Sequence, residues 1–114
     1  MIPAKEIRLS ERAGKALDEL EDASTPELKT IARRVHALKP VLLSDCLHGE
    51  VVRKSAIPAP LRREYGVENL YVEDLPNFWR LIYTITRVDG ERVLVVLEIV
   101  DHRAYSKWFP GRRK

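Results

Sequence analysis

A cation stands where a core strand should have none. Residues 78 to 102 read FWRLIYTITRVDGERVLVVLEIVDH, an apolar hairpin with Arg80 inside its first strand and Asp101-His102 at its exit. A guanidinium presents a planar fork that matches phosphate oxygens. Histidine is the side chain best suited to general acid–base work near neutral pH, and His102 is the one next to this cluster. Tyr105, three residues on, can stack on a base or donate a proton. Beyond Asp101 the chain holds no acid, but it does hold Arg103, Lys107, Arg112, Arg113 and Lys114. Such a terminus attracts a polyanion or an acidic partner. Each residue also has a plain structural reading. Arg80 can pair with Glu73, Asp74 or Glu98, His102 can end the strand, and Tyr105, Trp108 and Phe109 can pack on a sheet. Trp79 and Tyr83 share a face with Leu81 and Ile85 and read as core.

The elements that must position these residues follow from spacing. Asp89-Gly90 is a two-residue turn signal between apolar runs. A tight turn there sets Val88 opposite Glu91, Tyr83 opposite Val96, Ile82 opposite Leu97 and Arg80 opposite Ile99. One face then carries Trp79, Leu81, Tyr83, Ile85, Leu94, Val96 and Val100. The other carries Arg80, Ile82, Thr84, Val93, Val95, Leu97 and Ile99. Continued past the strand, this register brings Arg103 to the Arg80 face; a break at Asp101 brings His102 instead. The second strand is apolar on both faces and so reads as central.

Upstream, residues 5 to 9 alternate as a short strand. Ser10 caps a helix with Ala13, Leu17 and Leu20 on one face. Thr25 at N-cap and Pro26 at N1 open a second helix striped by Leu28, Ile31, Ala32, Val35 and Leu38, which Pro40 ends. The short link around Ala23 makes the two an antiparallel hairpin. Gly49, Pro58, Pro60 and Gly66 punctuate a less regular stretch, with a short helix over PLRREY and a strand over LYVEDL. The fold class is α+β: a helical hairpin on one face of a small, about four-stranded antiparallel sheet, with Arg80 and apolar residues on the other.

A chain of 114 residues with 45% hydrophobic and 32% charged side chains forms one globular domain, 1–114, with a basic tail from about 103. The lone Cys46 cannot form an internal disulfide, no apolar run is long enough for a bilayer, and the N-terminus has no signal core. The expectation is a cytoplasmic protein with no membrane partner. The net charge of +3 matters less than its concentration at the C-terminus.

The element order, with NLYVEDLPNFWRLIYTI and VLVVLEIVDHRAYSKWF, resembles the RelE/ParE superfamily of bacterial and archaeal toxins. The matching signature is aromatic-Arg-aliphatic-aliphatic-Tyr, here Trp79 to Tyr83, followed by a basic segment with histidine and tyrosine. The resemblance implies a toxin of a toxin–antitoxin pair with a cognate antitoxin protein as partner. RelE-like members cleave mRNA on the ribosome, and ParE-like members inhibit DNA gyrase. For RNA cleavage, the 2′-oxygen needs a base, the phosphorane needs cations and the leaving oxygen needs an acid, all without a metal or other cofactor. Carried over, the catalytic candidates are Arg80, His102, Arg103 and Tyr105; Lys54, Arg62, Arg63 and Lys107 are candidates for RNA backbone phosphates. Ribosome-dependent members carry lysines on the strand before the arginine, where this chain has Glu73 and Asp74. Either His102 and Tyr105 carry the chemistry, or the domain is an inactive binding module or a ParE-like inhibitor of another target. Cys46 and His48 do not make a zinc site by spacing, and the scattered glycines form no phosphate-cradling loop.

Overall fold

The computed structural model describes residues 1–111; Arg112, Arg113 and Lys114 of the basic tail lie outside the described residues. The elements are β1 (Glu6–Leu9), α1 (Glu11–Asp22), α2 (Pro26–Ser44), β2 (Glu50–Val51), α3 (Ala59–Tyr65), β3 (Tyr71–Asp74), β4 (Arg80–Val88), β5 (Glu91–Val100) and α4 (His102–Trp108). The α+β layout holds, but the sheet differs from expectation. It has five strands in the order β1-β5-β4-β3-β2 and is mixed, because β1 runs parallel to β5. Alternation over residues 5 to 9 signals a strand but not its neighbour or direction. Those come from tertiary pairing, Ile7 with Leu94 and Leu9 with Val96.

Helices α1 and α2 cover one face. Ala13, Leu17, Leu20, Ile31, Ala32, Val35, Leu38 and Leu42 meet Leu81, Tyr83, Leu94, Val96 and Ile99 there. Ser10 caps α1 as its position suggests, its Oγ accepting from the Ala13 N–H at 3.0 Å. Pro40 does not end α2, which continues to Ser44. Proline leaves the His36 carbonyl without its helical donor. However, Pro40 is exposed, while Leu38 and Leu42, four apart, are both buried on the core side. Packing therefore carries the helix past the defect.

The opposite face has a cover of its own. Val52, Ile57, Leu61, Val67 and Leu70 come down from the α3 region, and Tyr105 and Phe109 from the C-terminus, onto Val72, Ile82 and Leu97. The Asp89-Gly90 turn is tight, with both residues at positive φ and Val88 opposite Glu91. The pairing then slips between Ile82 and Tyr83: Tyr83 faces Val96, Ile82 faces Glu98 and Arg80 faces Val100. One extra residue on β5 is the mark of a β-bulge. Ile99 thus turns to the α1–α2 face and Val100 to the other, the reverse of the regular register. Glu98, only 4% exposed, sits at the slip. It accepts from the Tyr65 hydroxyl at 2.7 Å and pairs with Arg12 Nε at 3.0 Å.

Among the described residues, no helix is long and apolar enough to cross a membrane.

Candidate functional site

Arg80 opens β4 opposite Asp74, the last residue of β3. Its side chain lies on the face away from α1 and α2 and is 2% exposed. The guanidinium has three neighbours. Nη1 donates to the Trp79 carbonyl at 3.0 Å. Cζ lies 4.9 Å from the centroid of the Tyr105 ring. Nε lies 3.0 Å from Asp74 Oδ1, but the angle does not make a hydrogen bond, so that contact is an ion pair without directional bonding. The Asp74 side chain is 81% exposed. The pair thus joins a buried cation to a carboxylate in water, and the face of Tyr105 adds a cation–π contact.

The carboxy-terminal candidates reach this end of the sheet by a route the strand register did not foresee. Strand β5 stops at Val100, and Asp101 caps α4, its Oδ1 accepting from the Ala104 N–H at 3.0 Å. Helical spacing then replaces alternation. Tyr105 turns inward and is buried, whereas His102, Arg103 and Lys107 face solvent. Arg103 does not join Arg80 on the sheet. His102 sits at the head of α4 with its ring centroid 5.9 Å from that of Phe78, tilted by 60°. Its Nε2 lies 3.4 Å from Ser106 Oγ.

Phe78 is the residue that sequence reasoning missed. The loop from β3 to β4 closes with Leu75 N–H donating to the Trp79 carbonyl at 2.9 Å. Between them Asn77 and Phe78 both take positive φ, 59° and 63°. The segment is therefore a left-handed turn, not a helical one. Phe78 is 57% exposed, and no other Phe, Trp or Tyr among the described residues is classed as exposed. The only sequence signal was Pro76-Asn77, which marks a turn but not an aromatic held outside it.

Glu73 and Asp74 part company in the structure. Asp74 goes to Arg80, while Glu73 points to the helix side and is buried. Glu73 Oε2 lies 2.6 Å from His48 Nδ1. Beside them Tyr83 donates to the Cys46 carbonyl at 2.8 Å and accepts from the Gly49 N–H at 2.9 Å. Tyr71 stacks on Tyr83 with centroids 5.2 Å apart. Burial, above all, pushes the Tyr83 phenol well above its usual range. Tyr83 is thus core and anchor, in line with its place on the Leu81 face.

Lys54, Arg62 and Arg63 are exposed on the α3 side. Arg62 donates to the Lys54 carbonyl at 2.7 Å, and the two side chains line one shallow hollow with Ser55, Ile57 and Ala59. A cleft of about 350 Å³ opens at the Arg80 end between α1 and α4, over Leu20, Trp79, Ile99 and Val100. A roomier one, about 490 Å³, lies among Tyr65, Asn69, Thr84, Thr86 and Val95; no Lys or Arg lines it, so it does not suit a phosphate chain. Among the described residues, no three His, Cys, Asp or Glu side chains gather as a metal would need.

The site can hold a buried positive charge beside an exposed carboxylate, and can offer an exposed imidazole and an exposed aromatic ring at the same end of the sheet. Comparison with known families, curated proteins and solved structures finds no match.

Proposed function

We propose that this chain is a RelE-like toxin domain, a metal-independent endoribonuclease acting on ribosome-bound message and held in check by a cognate antitoxin. The observation that supports this reading is the meeting of Arg80 with the C-terminal segment. Arg80 and Tyr105 are in contact, and Tyr105 shares α4 with the exposed His102, Arg103 and Lys107. In this reading a scissile phosphate displaces Asp74 from the guanidinium. The phosphate then takes the place of a contact that carries no hydrogen bond from Nε, so the buried guanidinium keeps an anionic partner throughout. His102 takes the proton from the 2′-hydroxyl as the 2′-oxygen attacks phosphorus, and Arg80 stabilises the charge that builds on the phosphorane. The 5′-oxygen then leaves and takes a proton from solvent water, the hydroxide formed being neutralised by the His102 imidazolium, so the products carry a 2′,3′-cyclic phosphate and a 5′-hydroxyl.

The test is a cell-free translation reaction with the purified protein, with message ends mapped. Wild-type protein should halt translation and leave new 5′ ends within the message. Arg80→Ala and His102→Ala should each lose at least about 100-fold in cleavage rate, the usual scale for one acid–base or charge-stabilising group. Intact message and undisturbed translation with wild-type protein would sink the reading.

One observation favours a second reading. With Arg80 2% exposed and already paired, the domain suits a RelE-fold binding module, or a ParE-like inhibitor of another target, that uses its surface and not a catalytic groove. It predicts stable capture of a partner protein, unchanged message, and no effect of His102→Ala on that capture.

A further inference from the structure

We propose that Phe78 and His102 form a subsite for one nucleobase of a single-stranded RNA, which rests on the RNA reading above and extends it to base recognition. The backbone gives the first argument. Asn77 (φ 59°, ψ 34°) and Phe78 (φ 63°) are consecutive non-glycine residues in the left-handed region. Asparagine tolerates that region, but for a bulky residue it is strained. Strain of this kind gathers at functional positions. A glycine at 78 would adopt the same turn freely, so the fold bears a cost whose visible product is an aromatic ring held in water.

The ring's surroundings supply the second argument. Phe78 is 57% exposed, and its ring meets the exposed His102 at 5.9 Å and 60°. The rings are tilted, so Phe78 is not covered by a parallel stacking partner. A base stacked on Phe78 gains the π-face contact that single-strand binders use. One His102 ring nitrogen can then hydrogen-bond the base edge, since imidazole can both donate and accept, which leaves the other for the proton transfer.

Charge decides the class of ligand. Arg103 and Lys107 stand exposed on the helix His102 begins, and Arg80 lies under Tyr105 at the same end of the sheet. Three carboxylates share that end: Asp101 accepts from the Ala104 N–H, Asp74 pairs with Arg80, and Glu19 lines the cleft between α1 and α4, away from the Phe78–His102 ring contact. An aromatic face among cations fits a base on a phosphate backbone better than an apolar peptide. A purine, with the larger face, should be held more tightly than a pyrimidine.

The experiment measures binding of labelled hexa-adenylate, hexa-uridylate and base-free polyphosphate of matched charge to the full chain. Phe78→Ala should weaken hexa-adenylate binding by roughly ten-fold or more, the scale of one base–aromatic stack, while polyphosphate binding stays within about two-fold. Phe78→Trp should restore the affinity. Phe78→Gly removes the ring and relieves the turn. It should lose the same affinity with an unchanged or raised melting temperature, which separates loss of stacking from loss of folding. Unchanged hexa-adenylate affinity in Phe78→Ala overturns the subsite while leaving the RNA reading standing. So does an equal loss on polyphosphate. If wild-type protein binds no RNA, the RNA reading fails and the subsite with it.

Discussion

Gly49 shows how closely the His48–Glu73 corner is built. A Cβ added there would lie 2.8 Å from Tyr83 Oη, 3.0 Å from Tyr83 Cε2 and 3.1 Å from the Val72 carbonyl oxygen. The tyrosine cannot swing away, because its hydroxyl is bonded to Cys46 and its ring is stacked on Tyr71. Gly49→Ala should therefore destabilise the protein by about 1–3 kcal/mol, the range for overpacking a well-filled site, read from denaturant unfolding. Tyr65 makes a different point at this scale. Burial, and then its hydrogen bond to Glu98, push its phenol up to about 12 from an ordinary 10. A pKa raised on folding means the neutral form is favoured in the native state. Its stabilising contribution is whole below pH 10 and is lost as pH rises through about 12. Tyr83 and Tyr71 are shifted in the same direction. Alkaline titration of stability should show a decline across that window, and Tyr65→Phe should make it shallower. A slope unaltered by the substitution would count against the Tyr65–Glu98 bond.

Helix α4 is the element on which the candidate site depends, since it sets Tyr105 against Arg80 and leaves His102 outside. At seven residues it is too short to hold itself together without its cap and its buried side chains. Replacing Asp101 by Ala removes the side-chain bond to the Ala104 N–H and should cost about 1 kcal/mol. The loss should appear as faster amide exchange over 102–108, with the exchange of β4 and β5 unchanged. Equal acceleration in β5 would mean that α4 is not a separate unit. The same helix marks the limit of what the sequence made legible. Local signals were sufficient for the helical hairpin, the Ser10 cap, the Asp89-Gly90 turn and the β3 strand, because each is set by residues within a turn or two. The end of β5 was not. At the slip Glu98 meets Tyr65 and Arg12, distant in sequence, and strand alternation, blind to such contacts, reverses Ile99 and Val100 and aims Arg103 at Arg80. Pro40 misled for a related reason: its local penalty is outweighed by Leu38 and Leu42 in the core.

At the scale of the whole molecule, the sheet separates two kinds of surface. One face is closed by α1 and α2, and the other gathers α3 and α4 around Ile82 and Leu97. The exposed cations picked out for RNA contact are on that second side in two groups, Lys54, Arg62 and Arg63 at α3 and Arg103 and Lys107 at α4. Whether a polyanion touches one group or both is a question of counterion release. Each phosphate neutralised on a single strand contributes about −0.7 to the slope of log affinity against log salt. An RNA lying across both groups should thus show a slope near −3.5, and one held by α4 alone a slope near −1.4, as order-of-magnitude values. The double substitution Arg62→Ala with Arg63→Ala separates the cases. It should flatten the slope by about 1.4 if the strand spans α3 and α4, and leave it unchanged if the strand sits at α4 only. Arg62 already donates to the Lys54 carbonyl, so part of its charge is held in place before any ligand arrives. That pre-ordering lowers the entropic cost of recruiting it and favours the spanning mode, with a backbone running from the α3 cations to the Arg80 end. Salt titrations of RNA affinity for the wild type and the double variant decide the matter, and an equal slope in the two proteins would confine the strand to α4.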